Sequence, residues 1–538
     1  MTGTVPPRPV LGGGLARAAL GIAAVTVLAR VLGFGRVVVF SHSVGTTTCL
    51  GTAYFTANTV PNLLFEVVAG GALAGAVVPV LAGPVQGGDA GTAGRIASAL
   101  LGWTLIVLTP LAVLAAALAR PMVGLFFGPG SAGCDRAGVT SLAARMLVVF
   151  APQVLLYGVG IVAVGVLHAH RRFLGPALAP LLSSAVVIAA YLAYAFQSGG
   201  HPSDLRELST ARELTLSVGT TLGVAVLSLS LLVPLRRTRL RLRPTLRFPP
   251  GVAPQVRRLA LAGLAAQQVS VAVVLRLADT AQPRGGIVLY NLAWTLFLLP
   301  WAVLAVPIAT SAFPALSGRA AAGDADGYAG TAATTTRGIV LVTAAAAAAL
   351  VAAALPAARM LVLGTPGDPN PAELARALVA FAPGLLGYGL VAHLSRALYA
   401  GGESRAAGVA TVAGWLTVAV ADVALVGALP AGWTVAALGA GNTIGMTVAG
   451  LLMLRSLGRR TAGAGLAGVS RALAVALPAA AAATVVGRLL AGVLPSAGTL
   501  GSAAAAATVG AATVAVFALL AASAGRGDLR ALRELRHG

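Results

Sequence analysis

The chain has 538 residues, of which 58% are apolar and only 10% charged, and its mean hydropathy is +0.90. Soluble domains carry about a quarter charged residues, so an ordinary soluble enzyme and a disordered chain are both excluded. The formal net charge of +22 comes from 37 arginines, with no lysine, against 15 acidic residues; such a balance points to nucleic acid, a membrane surface or a topology signal, and the positions of the arginines discriminate.

The first 16 residues are too polar and too rich in Pro and Gly for a signal-peptide core, so the first span is expected to be retained. A bilayer crossing takes about 20 apolar residues. Long uncharged windows, together with segments broken by one charge or a Pro/Gly turn, predict fourteen spans. They lie near 17–44, 52–84, 92–119, 138–167, 173–196, 213–235, 259–279, 285–318, 338–356, 373–395, 405–428, 432–454, 472–493 and 497–523. In hydrocarbon the backbone must bond to itself, so the predicted fold class is an all-α polytopic membrane protein. The predicted division is a tail (1–16), a first lobe of six spans (17–235), a basic linker (236–258), a second lobe of six (259–454), two further spans (472–523) and a tail (524–538).

With this count, 25 arginines fall on the side of the termini, 8 on the other side, and Arg30, Arg36, Arg145 and Arg376 within spans. Arginine marks cytoplasmic loops, so the expectation is a multi-pass plasma-membrane protein with both termini in the cytoplasm. The stretch 235–247 (LRRTRLRLRPTLR) resembles a nucleic-acid patch in isolation. Between two spans it reads instead as a cytoplasmic loop against anionic phospholipid head groups, and no nucleic-acid partner is expected. Cys49 and Cys134 both fall in external loops; they are read as unpaired, with a disulfide as the alternative.

Residues 144–158 (ARMLVVFAPQVLLYG) and 375–389 (ARALVAFAPGLLGYG) share ten of fifteen positions at an offset of 231. A second echo pairs 79–83 (PVLAG) with 314–318 (PALSG) at an offset of 235. Both matches join spans six apart, which predicts two parallel six-helix repeats followed by two C-terminal helices. Pro152 and Pro383 sit mid-span at matched positions, where proline removes a backbone hydrogen bond, and are candidate gating residues.

An ionisable group at bilayer depth costs about 2.5–3.5 kcal/mol, which makes it a functional candidate by default. Arg30 and Arg36 share span one, about 120° apart unless Gly33 and Gly35 unwind the helix. Two guanidiniums there suit a polyanionic head group. Asn62 and Glu66 follow in span two, Glu66 either pairing with Arg36 or touching substrate. Asp422 is alone in span eleven and is a candidate for ion coupling, whereas Arg145 and Arg376 lie near helix ends and are read as snorkelling. The six histidines are scattered, no catalytic or metal constellation emerges, and without lysine there is no Walker motif. A transporter, not an enzyme, is expected, with no cofactor beyond the membrane potential or a coupling ion.

Residues 29–36 (ARVLGFGR), 61–64 (PNLL), 71–72 (GA) and 78–81 (VPVL) together resemble the opening of the MurJ/MviN family, lipid II flippases within the multidrug/oligosaccharidyl-lipid/polysaccharide exporter superfamily. Weaker matches are 170–173 (HRRF), 176–180 (PALAP), 313–317 (FPALS) and 396–400 (RALYA). Departures from the family pattern are Val37, Thr52, Phe65, Glu66, Ala69 to Gly71 and Thr295; Phe65, Glu66 and Thr295 stand where arginines are usual. Of the cationic cluster that the resemblance implies, the span-one arginines are matched.

The resemblance implies a flippase carrying lipid-linked peptidoglycan precursor to the outer leaflet by alternating access, with Arg30, Arg36, Asn62 and Glu66 on the substrate and cell-wall synthesis proteins as further partners. The missing arginines leave two other readings open: a transport-inactive scaffold in cell-wall assembly, or a small-molecule exporter of the same superfamily.

Overall fold

Leu-, Ala- and Val-rich segments leave the backbone no partner but itself in an apolar medium, and the described residues form helices and turns without a strand. The computed structural model describes residues 13–45, 47–65, 80–81, 84–85, 87–126, 134–170, 172–199, 205, 208–238, 240, 242–249, 265–281, 285–366 and 369–524. The first half of the chain supplies α1 (Gly13–Ser43), α2 (Cys49–Phe65), α3 (Ala90–Ala117), α4 (Ala119–Gly124), α5 (Arg136–Phe150), α6 (Gln153–Ala169), α7 (Leu174–Gln197), α8 (Thr210–Leu229) and α9 (Leu232–Arg236). The second half supplies α10 (Ala265–Ala281), α11 (Gly286–Pro300), α12 (Val306–Ala321), α13 (Ala325–Ala352), α14 (Ala354–Val362), α15 (Pro371–Phe381), α16 (Gly384–Ala400), α17 (Ser404–Ala428) and α18 (Thr434–Arg460). Then come α19 (Val469–Val493) and α20 (Gly498–Ala524).

Helix starts follow local chemistry. Asp89, Asp135, Ser209, Asp324 and Asn370 each accept a backbone N–H from the first turn of the helix they precede, satisfying donors that a helix leaves unpaired. Among the described residues ten segments are long and apolar enough to cross a bilayer, or eleven if α15 and α16, bent by 43°, form one span. The predicted spans at 52–84 and 259–279 run into residues outside the description, and the count of fourteen is not reached within it.

Both copies of the repeated motif fold alike. A helix ends at Phe150 or Phe381, two residues intervene, and a 17-residue helix begins at Gln153 or Gly384. Pro152 and Pro383 precede those second helices, where a missing N–H costs nothing. A further irregularity follows Pro300, where one π-helical turn (Trp301–Ala305) joins α11 to α12. The linker is held too: the backbone N–H of Thr245 donates to the Ser98 carbonyl, that of Arg243 to Ser98 Oγ, and Trp103 Nε1 to the Leu246 carbonyl.

Two expectations need correction. Cys49 and Cys134 are bonded to each other, their Cα atoms 5.8 Å apart, because the start of α2 and the start of α5 meet at one end of the molecule. Arg145 does not merely snorkel. Its Nε and Nη2 donate to the Glu213 carboxylate on α8 at 3.0 and 2.8 Å, joining helices whose residues are 68 positions apart. Arg376, its counterpart in the second copy, donates to the Gly432 carbonyl and lies over the Trp433 ring.

The packing differs between the two ends. At the disulfide end one apolar cluster joins the halves, placing Phe40, Tyr54, Phe150 and Tyr191 in the same core as Val274, Ile287, Val288 and Leu438. At the opposite end, where the linker lies, the halves keep separate cores: Val80, Ile96, Val166 and Leu235 in one, Leu316, Tyr328, Leu398 and Leu457 in the other. Glu213→Ala removes charged hydrogen bonds to a half-exposed arginine, and a loss of about 1.5–3 kcal/mol is expected. Thermal unfolding of the detergent-solubilised chain checks this, and Arg145→Leu added to Glu213→Ala should recover part of the loss.

Candidate substrate cavity and a neighbouring buried acid

Span one stays helical through Gly33 and Gly35. Arg30 and Arg36 therefore leave the axis about 120° apart, yet both line one cavity of about 890 Å³ between α1, α2, α6, α7, α8 and α11. The cavity is wide enough for two long side chains to enter from different azimuths. Arg36 lies seven residues before the end of α1, about 10 Å into the helix. Neither arginine has an ion-pair partner among the described residues. Asn58, Asn62, Tyr157, Ser183, Ser184 and Thr220 supply uncharged polar groups around them.

The two ends of this cavity are unlike. Toward the disulfide, Thr220 Oγ1 lies 2.6 Å from the Tyr54 hydroxyl, which lies 2.8 Å from that of Tyr191; the rings of Phe40 and Phe150 pack against these tyrosines. This closes the cavity with buried aromatic rings. Toward the linker end its walls continue to His168, Phe173 and Pro176, at the turn between α6 and α7. The cavity thus reaches the end of the molecule where the halves do not share a core.

Of the residues singled out in the sequence, Arg30, Arg36 and Asn62 come together here, and Glu66 lies outside the described residues. Thr295, where the resemblance would place an arginine, also lines the cavity, its hydroxyl donating to the Asn291 carbonyl. Asn58, Tyr157, Ser183, Ser184 and Thr220 escaped the sequence reading. Their signal was present as lone polar residues in apolar helices, but such residues also bond to their own backbone, as the Thr220 hydroxyl does to Leu216.

Asp422 is elsewhere. It is fully buried on α17, and neither of its carboxylate oxygens has a hydrogen-bond partner among the described residues. The Oδ1 of buried Asn442 on α18 is likewise unpartnered. The carboxylate rests on Gly441, where an added Cβ would stand 2.0 Å from Oδ1. Asn442 opens onto a second space of about 310 Å³ between α2, α10, α11, α17 and α18, and Asn62 and Trp294 line both this space and the large cavity. No group of three His, Cys, Asp or Glu side chains converges among the described residues. Pro152 and Pro383 lie at the helix breaks and line neither space.

The family model "Lipid II flippase MurJ" covers residues 40–507. The chain belongs to this family. A lipid II flippase MurJ of Burkholderia cenocepacia is 32% identical over 179 residues, 33% of each chain. A probable lipid II flippase MurJ of Rhizobium tropici is 28% identical over 281 residues, 51% of this chain and 50% of the other. The chain thus spans a third to a half of the length of these two relatives. Among solved structures, lipid II flippase MurJ in its inward closed conformation superposes with a TM-score of 0.71 at 18% identity, covering 93% of this chain and 98% of that one. The MurJ fold therefore extends over nearly the whole chain.

The contact between Gly441 and Asp422 yields a prediction. Gly441→Ala forces α17 and α18 apart or displaces the carboxylate, and such overpacking costs about 1–3 kcal/mol. A lowered thermal midpoint is expected, while Gly427→Ala on α17, where an added Cβ meets nothing within 4 Å, should leave it unchanged.

Proposed function

We propose that the chain is a lipid II flippase that moves the lipid-linked peptidoglycan precursor from the cytoplasmic to the outer leaflet. The observation that carries this reading is the large cavity holding Arg30 and Arg36 with no acidic partner among the described residues. Two guanidiniums, each with five donors, match the oxygens of a diphosphate. Asn62 and, beside it in sequence, Glu66 would meet sugar hydroxyls, and the lipid tail would remain in the bilayer. No step in this cycle makes or breaks a bond, so the role is that of a transporter and not an enzyme.

The disulfide supports an orientation. Such bonds persist outside the reducing cytoplasm, which supports placing the Cys49–Cys134 end outside. The cavity, which reaches the other end, would then face the cytoplasm together with both termini. The basic linker would lie against anionic phospholipid there. Exporting an anion from a negative interior gains about 2.3 kcal/mol per charge per 100 mV, so the membrane potential alone favours the direction. The unpartnered oxygens of Asp422 and Asn442 support a cation coupled to the cycle, with Asn62 and Trp294 as the wall through which the two spaces sense each other. Rocking of 17–235 against 259–454 would bend the breaks at Pro152 and Pro383, with 472–523 as an appendix. Cell-wall synthesis proteins are the expected partners on the outer side.

Lipid II flipping in proteoliposomes is the direct test. Arg36→Ala and Arg30→Ala are each expected to lower the rate about tenfold to a hundredfold, the range for losing a charged hydrogen bond, with thermal stability unchanged. Wild-type rates that both variants match would sink the reading, as would unchanged outer-leaflet lipid II after depletion of the chain in cells. Orientation has its own check. In intact cells, a membrane-impermeant maleimide should label Cys49 and Cys134 only after an impermeant reductant is added; labelling that requires lysis would reverse the topology.

A further inference from the structure

A third cavity, of about 680 Å³, lies apart from those already described, at the disulfide end of the second half. Its walls come from the end of α13, from α14, from α15 along its length, from the start of α18 and from the end of α19. The loop after α14 reaches the first half, where an added Cβ on Gly45 would stand 2.8 Å from Pro366, which fixes this cavity at the same end as Cys49–Cys134. The walls are mostly Ala, Val, Leu and Pro, with Gly492 and Trp433, and the charged residues among them are Arg359 on α14, Arg376 on α15 and Arg488 on α19.

Two of these guanidiniums are held in place by hydrogen bonds. Arg359 Nη1 donates to Ser496 Oγ at 2.8 Å. Arg376 Nη2 donates to the Gly432 carbonyl at 2.8 Å, its guanidinium carbon is 4.9 Å from the centre of the Trp433 ring, and its Nε is buried without a partner. Glu373, one turn earlier on α15, stands beside Arg376, an added Cβ on Gly432 lying 3.8 Å from its Oε1 and 3.9 Å from Arg376 Nη2, and the described lining of the cavity holds three arginines and no acid.

The duplication supplies an internal control. At the matching position of the first copy, Arg145 is neutralised by Glu213 on α8. In the second copy α18 takes the place of α8, and it carries no acidic residue. The same arginine position is therefore closed by an ion pair in one half and borders an open, apolar, positively charged space in the other.

We propose that this cavity binds the phosphate head of a membrane lipid, with Arg359, Arg376 and Arg488 around the phosphate and a hydrocarbon chain in the apolar slot. A soluble anion has no use for walls of Ala, Val and Leu, and an uncharged lipid has none for three arginines. The site is distinct from the Arg30–Arg36 cavity and does not depend on what that cavity carries.

The test uses the purified full-length chain in neutral detergent, with phosphatidylglycerol, phosphatidylcholine, undecaprenyl phosphate and inorganic phosphate as probes, and native mass spectrometry to count bound lipid. Retention of phosphatidylglycerol or undecaprenyl phosphate about tenfold stronger than that of phosphatidylcholine is expected, the tighter of the two identifying the source of the phosphate. Arg359→Gln with Arg488→Gln, introduced in an Arg30→Ala and Arg36→Ala background so that the other cationic cavity does not contribute, should abolish the preference. Equal retention of phosphatidylcholine overturns the proposal, and so does a preference that survives Arg359→Gln with Arg488→Gln in that background. Displacement of bound lipid by millimolar inorganic phosphate alone would overturn the lipid assignment in favour of a free anion. Quenching by phosphatidylglycerol brominated in its acyl chains gives a readout that needs no arginine variant: Trp433→Phe should remove a quenched component of the tryptophan fluorescence, and an unchanged quenching profile counts against the site.

Discussion

Much of the molecule depends on the apolar joint at the disulfide end, where Phe40, Tyr54, Phe150 and Tyr191 share a core with Val274, Ile287 and Leu438. A charged group inside a bilayer is tolerable only where water or a counter-charge reaches it. Arg36 and Arg30 have no counter-charge among the described residues, and their cavity continues to the turn between α6 and α7. The aromatic closure between Thr220, Tyr54 and Tyr191 blocks one route, and the separate cores at the linker end leave the other. One tight joint thus sets both the shape of the cavity and the direction in which it can be reached. The Cys49–Cys134 bond braces it covalently by tying α2 to α5.

The two halves use one helical plan for different chemistry. The motif that begins with Arg145 or Arg376 folds identically up to its Pro152 or Pro383 break, and then the neighbours diverge. Glu213 makes the first arginine part of the packing, whereas Trp433 and a backbone carbonyl merely steady the second. The first half contributes most of the cationic cavity and the second holds the unpartnered acid, pressed against Gly441 where two helices approach at backbone distance. Asn62 and Trp294 are the residues common to both spaces. Close helix approach through small residues is how membrane bundles gain dispersion contacts when burial of apolar surface drives nothing. It also explains why a buried carboxylate can sit with no room for a larger neighbour.

Composition and periodicity were enough for the helical membrane fold, the repeat and the break positions, because a bilayer permits few backbone solutions and proline marks where they are interrupted. Arg30, Arg36 and Asn62 stood out in the sequence for the same reason, as polar groups in apolar helices, and the fold brings them to one cavity. What the sequence could not contain was distance. The partnership of Arg145 with Glu213, the bond between Cys49 and Cys134, and the meeting of Arg359, Arg376 and Arg488 each join residues tens to more than a hundred positions apart. Nothing local distinguishes a paired charge from a free one, so only the tertiary packing could decide which arginines are spent on structure and which remain to hold an anion.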